Sequence, residues 1–327
     1  MSFNYSQMYA PVICHLCNLS MQFGFFLTLL KEAQVLPLLK KPTLDADMAS
    51  SYRPISNLSY ISKVIERVVA RRFNLHISNS HLLPDQQSAY RPFHSTETAV
   101  LAVHNELVRA IDKGHVSLLV LLDLSAAFDT VDHSVLLSIL SSRFSVIDTV
   151  FRWFKSYLSD RTQSFIYAGQ QTPSFPVYCS VPQGSVLGPV EFTAYTEDIT
   201  ELLIKHNTQS HLYADDTQLY ASCKYEDIDA IRERLSKCIA DIAVWCASRR
   251  LQLNANKTEV IWFGSRSNLA KLKGRDCSVC IGSESIKPST IVRDLGVHLD
   301  DELTMKQHVA KVAASCFYHL RRLRQIR

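Results

Sequence analysis

The sequence has no long apolar run. Its most apolar early stretch, Phe23-Gly-Phe-Phe-Leu-Thr-Leu-Leu30, is far short of the ~20 residues a membrane-spanning helix needs, and no basic segment precedes it as in an export signal. The expectation is an intracellular protein with no membrane partner. Internal repeats and low-complexity linkers are also missing, and the chain reads as alternating helices and strands. Excess charge is small: 35 Lys and Arg against 31 Asp and Glu leave +4, too little to demand a nucleic-acid partner. Only local clusters such as Arg321-Arg-Leu-Arg-Gln-Ile-Arg327 can carry that case. Nine cysteines, an odd number scattered through apolar runs, argue against a disulfide framework. Cys14/Cys17 and Cys277/Cys280 form C-x-x-C pairs at opposite ends of the chain. Without convergence on one metal they read as small buried or half-buried thiols.

Apolar periodicity predicts a helix over 61–73, with Ile61, Val64, Ile65, Val68, Val69 and Phe73 inward and Lys63, Glu66, Arg67 and Arg71 off that face. Ser95 or Thr96 offers an N-cap, with Glu97 in the first turn, to a helix that carries Val100, His104, Leu107, Val108 and Ile111 inward and ends at Gly114. Residues 117–122, Ser-Leu-Leu-Val-Leu-Leu, suit a central strand covered on both faces. A helix is expected from His133, and residues 211–221 read as two short strands hinged on an acidic pair. A long amphipathic helix then carries Ile228, Ile231, Leu235, Ile239, Ile242 and Trp245, before strands over 259–263 and 291–297. The order strand, helices, hairpin, helix, strand is compatible with a sheet of ferredoxin-like connectivity with helices on one face.

Three carboxylates carry the chemistry. Asp123 ends the buried strand, and Asp215 and Asp216 sit at the hairpin turn. A strand-end aspartate beside a hairpin-tip aspartate can bridge two magnesium ions about 3.5–4 Å apart, which activate a hydroxyl and stabilise a leaving pyrophosphate. Taken alone, an Asp-Asp doublet is more often a solvated turn. Asp129 and Asp132 read as first-turn or capping groups of the next helix. Phe128 is either a ring under the sugar of a nucleotide or plain core packing.

Leu36-Pro-Leu-Leu-Lys-Lys41, Tyr52-Arg-Pro-Ile-Ser56, Gln87-Ser-Ala-Tyr-Arg-Pro-Phe-His-Ser-Thr-Glu-Thr98, Leu122-Asp-Leu-Ser-Ala-Ala-Phe-Asp129, Val181-Pro-Gln-Gly-Ser-Val-Leu-Gly-Pro189, Tyr213-Ala-Asp-Asp216 and Leu253-Asn-Ala-Asn-Lys-Thr-Glu259 follow one another along the chain. In that order they resemble the motifs of reverse transcriptases, and more narrowly those of LINE-type (non-LTR) retrotransposons. The resemblance implies an α+β right-hand polymerase with helical fingers, a ferredoxin-like palm sheet and a truncated thumb. Residues 1–30 would be an N-terminal helical remnant and 31–299 the polymerase domain, with fingers mainly over 31–116 and palm mainly over 117–299. The thumb would start at 300, with Val309, Val312, Ala313, Cys316, Phe317 and Leu320 on one helical face. By the same resemblance Asp123, Asp215 and Asp216 hold two Mg2+ ions, with Mn2+ as the alternative. Phe128 is the steric gate against ribonucleotides. Lys40, Lys41 and Arg53 approach the triphosphate, where the planar fork of Arg suits bidentate phosphate contact. Gln183 and Gly184 line the nucleotide and template pocket, and Lys257 serves as general acid near the pyrophosphate.

The implied partners are an RNA template, a DNA primer and dNTPs, with a separate endonuclease activity required for transposition. Action on chromosomal DNA implies a nuclear site, although no basic cluster is a clear targeting signal. Duplex contacts would come from Lys40, Lys41, Arg53, Arg71, Arg72, Arg91 and the C-terminal arginines, with Tyr52, Tyr90 and Phe93 nearby. Two residues depart from the family pattern. Ser180 stands where glycine is usual, and Glu191 where an apolar residue is usual. With the truncated thumb they motivate an alternative, a catalytically inactive remnant that only binds nucleic acid. A palm-fold nucleotidyl cyclase ranks last, because it leaves the Tyr52-Arg-Pro-Ile and Gln-Ser-Ala-Tyr-Arg-Pro segments unexplained.

Overall fold

Helix caps and buried strand runs divide the chain into its elements, which the computed structural model describes for residues 5–326. In chain order they begin with α1 (Tyr5–Phe23), β1 (Glu32–Leu39), β2 (Tyr52–Asn57), α2 (Tyr60–Asn79), α3 (Thr96–Asp112) and β3 (Val116–Leu122). There follow α4 (His133–Ser142), α5 (Asp148–Leu158), β4 (Arg161–Tyr167), β5 (Gln170–Gln171), β6 (Phe175–Val177), α6 (Gly188–Tyr195) and α7 (Ile199–Lys205). The remainder is β7 (Gln209–Tyr213), β8 (Asp216–Cys223), α8 (Ile228–Ser248), β9 (Glu259–Phe263), α9 (Arg266–Leu272), β10 (Val279–Ile281), β11 (Glu284–Ile286), β12 (Ile291–Asp294), β13 (Val297–Asp300) and α10 (Lys306–Arg324). The class is α+β. No helix of the described residues is long and apolar enough to cross a membrane.

Two compact units interleave along the chain. The first takes the residues up to Pro84, Ala126–Glu197 and Arg249–Leu251; the second takes Asp85–Ser125, Asp198–Ser248 and the residues from Gln252 onward.

In the first unit, β1 pairs antiparallel with β2 and parallel with β4, which also carries β5 and β6. Its core is aromatic. Phe26 meets Trp153 and Tyr157 edge-on at 5.6 and 5.0 Å, and Phe73 meets Phe154 at 5.3 Å. Ser59 caps α2 by accepting the amide hydrogen of Ser62. The buried stripe of α2 is Ser62, Ile65, Glu66, Val69, Ala70, Phe73 and Ile77. This corrects the expected face: Ile61, Val64 and Val68 are only half-buried, and Glu66 is inside. Hydrophobicity placed the stripe one residue off because two of its members are polar.

In the second unit the sheet order is β7-β8-β3-β9, and every neighbouring pair is antiparallel. Taken in chain order, the first strand lies between the last and the third, which is the ferredoxin-like arrangement expected. Ser95 forms a capping box with Thr98 at the start of α3. Val103 and Leu107 of α3 pack with Leu119, Tyr220, Ile261 and Phe263 of the sheet and with Val292 and Leu299. The β3 run is buried at every position except Leu121, as a strand covered on both faces should be. Helix α10 buries none of its residues; Val309 is 63% and Phe317 61% exposed. Of the paired cysteines, Cys17 and Cys277 are buried while Cys14 and Cys280 are exposed, and all are free thiols.

Candidate active site

Strand pairing builds the acidic site in the second unit. Leu122 lies opposite Thr217 in the β3–β8 ladder, so the next step brings Asp123 level with Asp216. The Asp123 carbonyl accepts the amide hydrogen of Asn254 at 2.9 Å, which pins the strand end against the segment that leads to Lys257. Tyr213 pairs with Asp216, leaving Ala214 and Asp215 as the turn, with Ala214 in the left-handed region at φ 56°. The carboxyls crowd one another. Burial, then Asp215, then Asp123 push the Asp216 carboxyl up to about 6. Lys257 Nζ stands 3.2 Å from Asp123 Oδ1. The four residues Asp123, Asp215, Asp216 and Lys257 therefore belong to one unit.

Three further residues shape this hairpin, and sequence reasoning gave them no such place. Gln87 is buried, and its Oε1 accepts the amide hydrogens of Ala89 at 2.9 Å and of Ala214 at 3.2 Å. Backbone bonds Leu212 N–H to Gln86 O and Ser88 N–H to Leu212 O, both 2.9 Å, lay the same segment along β7. Tyr90 sits at φ 58°, and burial followed by Asp215, Tyr213 and Asp216 raises its phenol. Asp294 is buried and accepts a 2.6 Å bond from Gln218 Nε2, leaving its other oxygen unbonded within the protein. Burial, with Asp216 adding to it, lifts its carboxyl to about 7 against the pull of Gln218. Gln87 had a signal in the Gln-Ser-Ala-Tyr motif; Asp294 had none.

The donor set fits magnesium, which prefers hard oxygen ligands and takes one or two carboxylates plus substrate phosphates. Among the described residues no three His, Cys, Asp or Glu side chains close on a single point, so the carboxylates do not form a finished cage. An open, negatively crowded set suits a metal that shares its coordination with substrate.

The first unit holds the remaining candidates. The loop over 182–187 runs from Pro182 to the start of α6. Ser56 of β2 donates its amide hydrogen to the Gln183 carbonyl at 2.8 Å. Gly184 has φ 112°, and a Cβ there would stand 2.7 Å from the Ser56 carbonyl oxygen, so only glycine fits. The Gln183 side-chain amide donates to both oxygens of Asp129, at 3.2 and 3.3 Å. Burial pushes the Asp129 carboxyl up, against the opposing pull of Gln183 and Lys40. Asp129 is thus no cap for α4. That task belongs to Asp132, which accepts from the amides of Ser134 and Val135. Phe128 stacks on Phe192 at 4.5 Å. Lys40 and Lys41 are exposed on the β1–β2 connection, with Lys40 Nζ donating to Ser50 O at 2.8 Å, and Arg53 lies opposite Leu38 in that hairpin. Of the other basic and aromatic candidates, Arg71, Arg72, Tyr90 and Phe93 are exposed.

Both departures from the family pattern have structural consequences here. Ser180 has φ 91°, a region that glycine enters freely and an L side chain does not. Its carbonyl pairs with His133 Nε2 at 2.8 Å, and its amide donates to Val131 O, so the strained conformation is held from both sides. Glu191 is completely buried on α6, and neither carboxyl oxygen has a hydrogen-bond partner in the protein. Burial and then Glu66 raise its carboxyl to about 8, with the buried Arg161 pulling the other way.

Residues 39–299 match the family model described as reverse transcriptase (RNA-dependent DNA polymerase). The probable RNA-directed DNA polymerase from transposon BS of Drosophila melanogaster is 30% identical over 94% of this chain and 33% of its own length. The RNA-directed DNA polymerase from mobile element jockey, also of Drosophila melanogaster, is 26% identical over 90% of this chain and 32% of its own. The chain thus spans about a third of the relatives it matches. Among solved structures, apo telomerase from Candida tropicalis, truncated from its C-terminal domain, has a similar fold. Its TM-score is 0.56 at 14% identity, over 85% of this chain and 55% of that one.

Proposed function

Because the chain belongs to the reverse transcriptase family, on the branch of LINE-type (non-LTR) mobile elements, we propose that it carries the RNA-directed DNA polymerase activity of such an element. The reaction joins a primer 3′-oxygen to the α-phosphorus of a dNTP and releases pyrophosphate, on an RNA template. The reading rests above all on the acidic hairpin, in which Asp216 adjoins Asp215 and lies one ladder step beyond the Leu122–Thr217 pair.

The family uses divalent metals, and Asp123, Asp215 and Asp216 are the residues that would hold them here. When bound, magnesium supplies positive charge to the attacking and leaving oxygens. Lys257 donates a proton to the leaving pyrophosphate and, until substrate arrives, offsets the charge of Asp123. Lys40, Lys41 and Arg53 bind the triphosphate, Phe128 meets the sugar, and Gln183 and Gly184 meet the nucleotide and template. Template and primer are held by backbone contacts that do not read sequence. The names fingers, palm and thumb for residues from 31, 117 and 300 are part of this proposal. So is a nuclear site of action, with an endonuclease activity supplied besides the polymerase.

The test is magnesium-dependent primer extension by the purified chain on an RNA template. Asp215→Ala with Asp216→Ala is expected to lower extension by at least about 10³-fold, since the metal charge they would hold offsets the charge that develops in the transition state. Template binding should stay within a few-fold of wild type. Extension that survives the double substitution removes the carboxylates from their role. Tight, salt-sensitive RNA binding by the wild-type chain with no extension at all would favour the inactive-remnant reading instead.

A further inference from the structure

We propose that Glu66 is a positioning residue for the Pro-Gln-Gly loop: its buried carboxylate accepts the amide hydrogens of Val186 and Leu187 and so fixes the loop that presents Gln183 and Gly184. The inference deepens the polymerase reading and rests on it for the loop's nucleotide-binding role.

Glu66 is on α2, fully buried, and both of its oxygens are engaged. Oε1 accepts from the hydroxyl of Ser62, one helical turn earlier and also fully buried, at 2.7 Å. Oε2 accepts from Val186 N at 2.6 Å and lies 3.4 Å from Leu187 N. These two amides immediately precede α6, where backbone donors have no carbonyl one turn back to meet. A carboxylate satisfies them better than a neutral acceptor, and the charge is favoured at that end of a helix.

Burying a carboxylate is costly unless fixed donors compensate it. Plain stabilisation of the α2 stripe would be served better by an apolar side chain at position 66. The specific gain is geometric. Ser56 fixes the loop backbone at Gln183, Glu66 fixes it at Val186 and Leu187, and Gly184 lies between the two anchors with its unusual φ. Release of the second anchor lets the loop shift against the first, which moves Gln183 away from Asp129.

Amide hydrogen exchange on the full chain reads the anchor directly. In Glu66→Ala, exchange at Val186 and Leu187 should rise by at least about tenfold, the loss of a charge-assisted bond. Protection in the middle of α2 and α5 should hold. Glu66→Gln, which keeps one acceptor oxygen, should show a smaller rise, and Ser62→Ala a rise of about two- to threefold. In primer extension, Glu66→Ala should raise KM for dNTP about tenfold while kcat falls less than threefold, with partial rescue by Gln. Unchanged exchange at Val186, or a uniform rise across α2, α5 and α6, overturns the proposal. So does unchanged KM in an active enzyme. If Glu66→Ala does not fold, the same criteria apply to Glu66→Gln and Ser62→Ala. A wild-type chain without extension would undo the polymerase reading and leave the exchange result to decide the role of Glu66.

Discussion

The acidic hairpin of one unit and the Pro-Gln-Gly loop of the other are positioned by different means. Asp123 and Asp216 are placed by strand register, a backbone property that many sequences can satisfy. Gln183 and Gly184 lie outside any strand, and their loop hangs on particular groups: the Ser56 backbone, the Glu66 carboxylate and Asp129. The hairpin crowds Asp123, Asp215 and Asp216 together near solvent, whereas the loop unit buries charge: Glu66, Glu191 and Arg161 are each at most 2% exposed. A register tolerates side-chain change; a loop held by buried polar groups transmits it.

The largest effect that sharpens this contrast should come from Glu191. Its folded-state carboxyl, at about 8, lies above the ordinary value of 4.5, so the folded chain holds the proton more tightly than the unfolded one. That contribution to stability is complete below about pH 4.5 and is lost as pH rises towards 8. Glu191→Gln, which mimics the neutral acid, should stabilise the chain by roughly 2–4 kcal/mol at pH 8 in urea melts, a gap that closes near pH 5. A gap independent of pH would mean that Glu191 is not a buried acid forced to ionise.

Next is Gln87, a side chain that holds the hairpin turn by its backbone. Gln87→Ala leaves the amides of Ala89 and Ala214 without their acceptor, at a cost of about 1–3 kcal/mol. Extension should fall about tenfold through displacement of Asp215 and Asp216. Full activity in this variant would show that register alone positions the carboxylates and would widen the contrast between the two regions.

The smallest effect concerns Ser180. Ser180→Gly removes the side chain from a backbone at φ 91° and should stabilise by about 1 kcal/mol, after the greater freedom of glycine in the unfolded chain is subtracted. Loss of stability in a thermal melt would mean that the serine side chain makes up for the strain. A faster extension rate alongside the gain would tie the strain to the loop over 182–187, two residues further along the chain.

Much of the fold was legible because period-two and period-3.6 patterns are local. The β9 strand matches its expected range of 259–263, the β3 run is buried as its apolar stretch required, and Ser95 caps α3. The α2 helix was legible in extent but not in orientation, since Ser62 and Glu66 belong to its inner stripe and a hydrophobic pattern cannot count polar members. The same blindness hid Asp294, which accepts from Gln218, and left Asp129 and Asp132 sharing a capping or first-turn role at α4 in which Asp132 alone is the cap.

By itself, then, the sequence determined many of the elements and marked the acidic residues as candidates, because each is written within a few neighbouring positions and the ordered motifs fall along one chain. Only the tertiary structure decided which polar groups are buried and what they hold. Glu66 meets Val186 across 120 positions and Gln87 meets Ala214 across 127. Bonds of that span depend on the packing that brings distant segments together, and no local pattern of side chains records it.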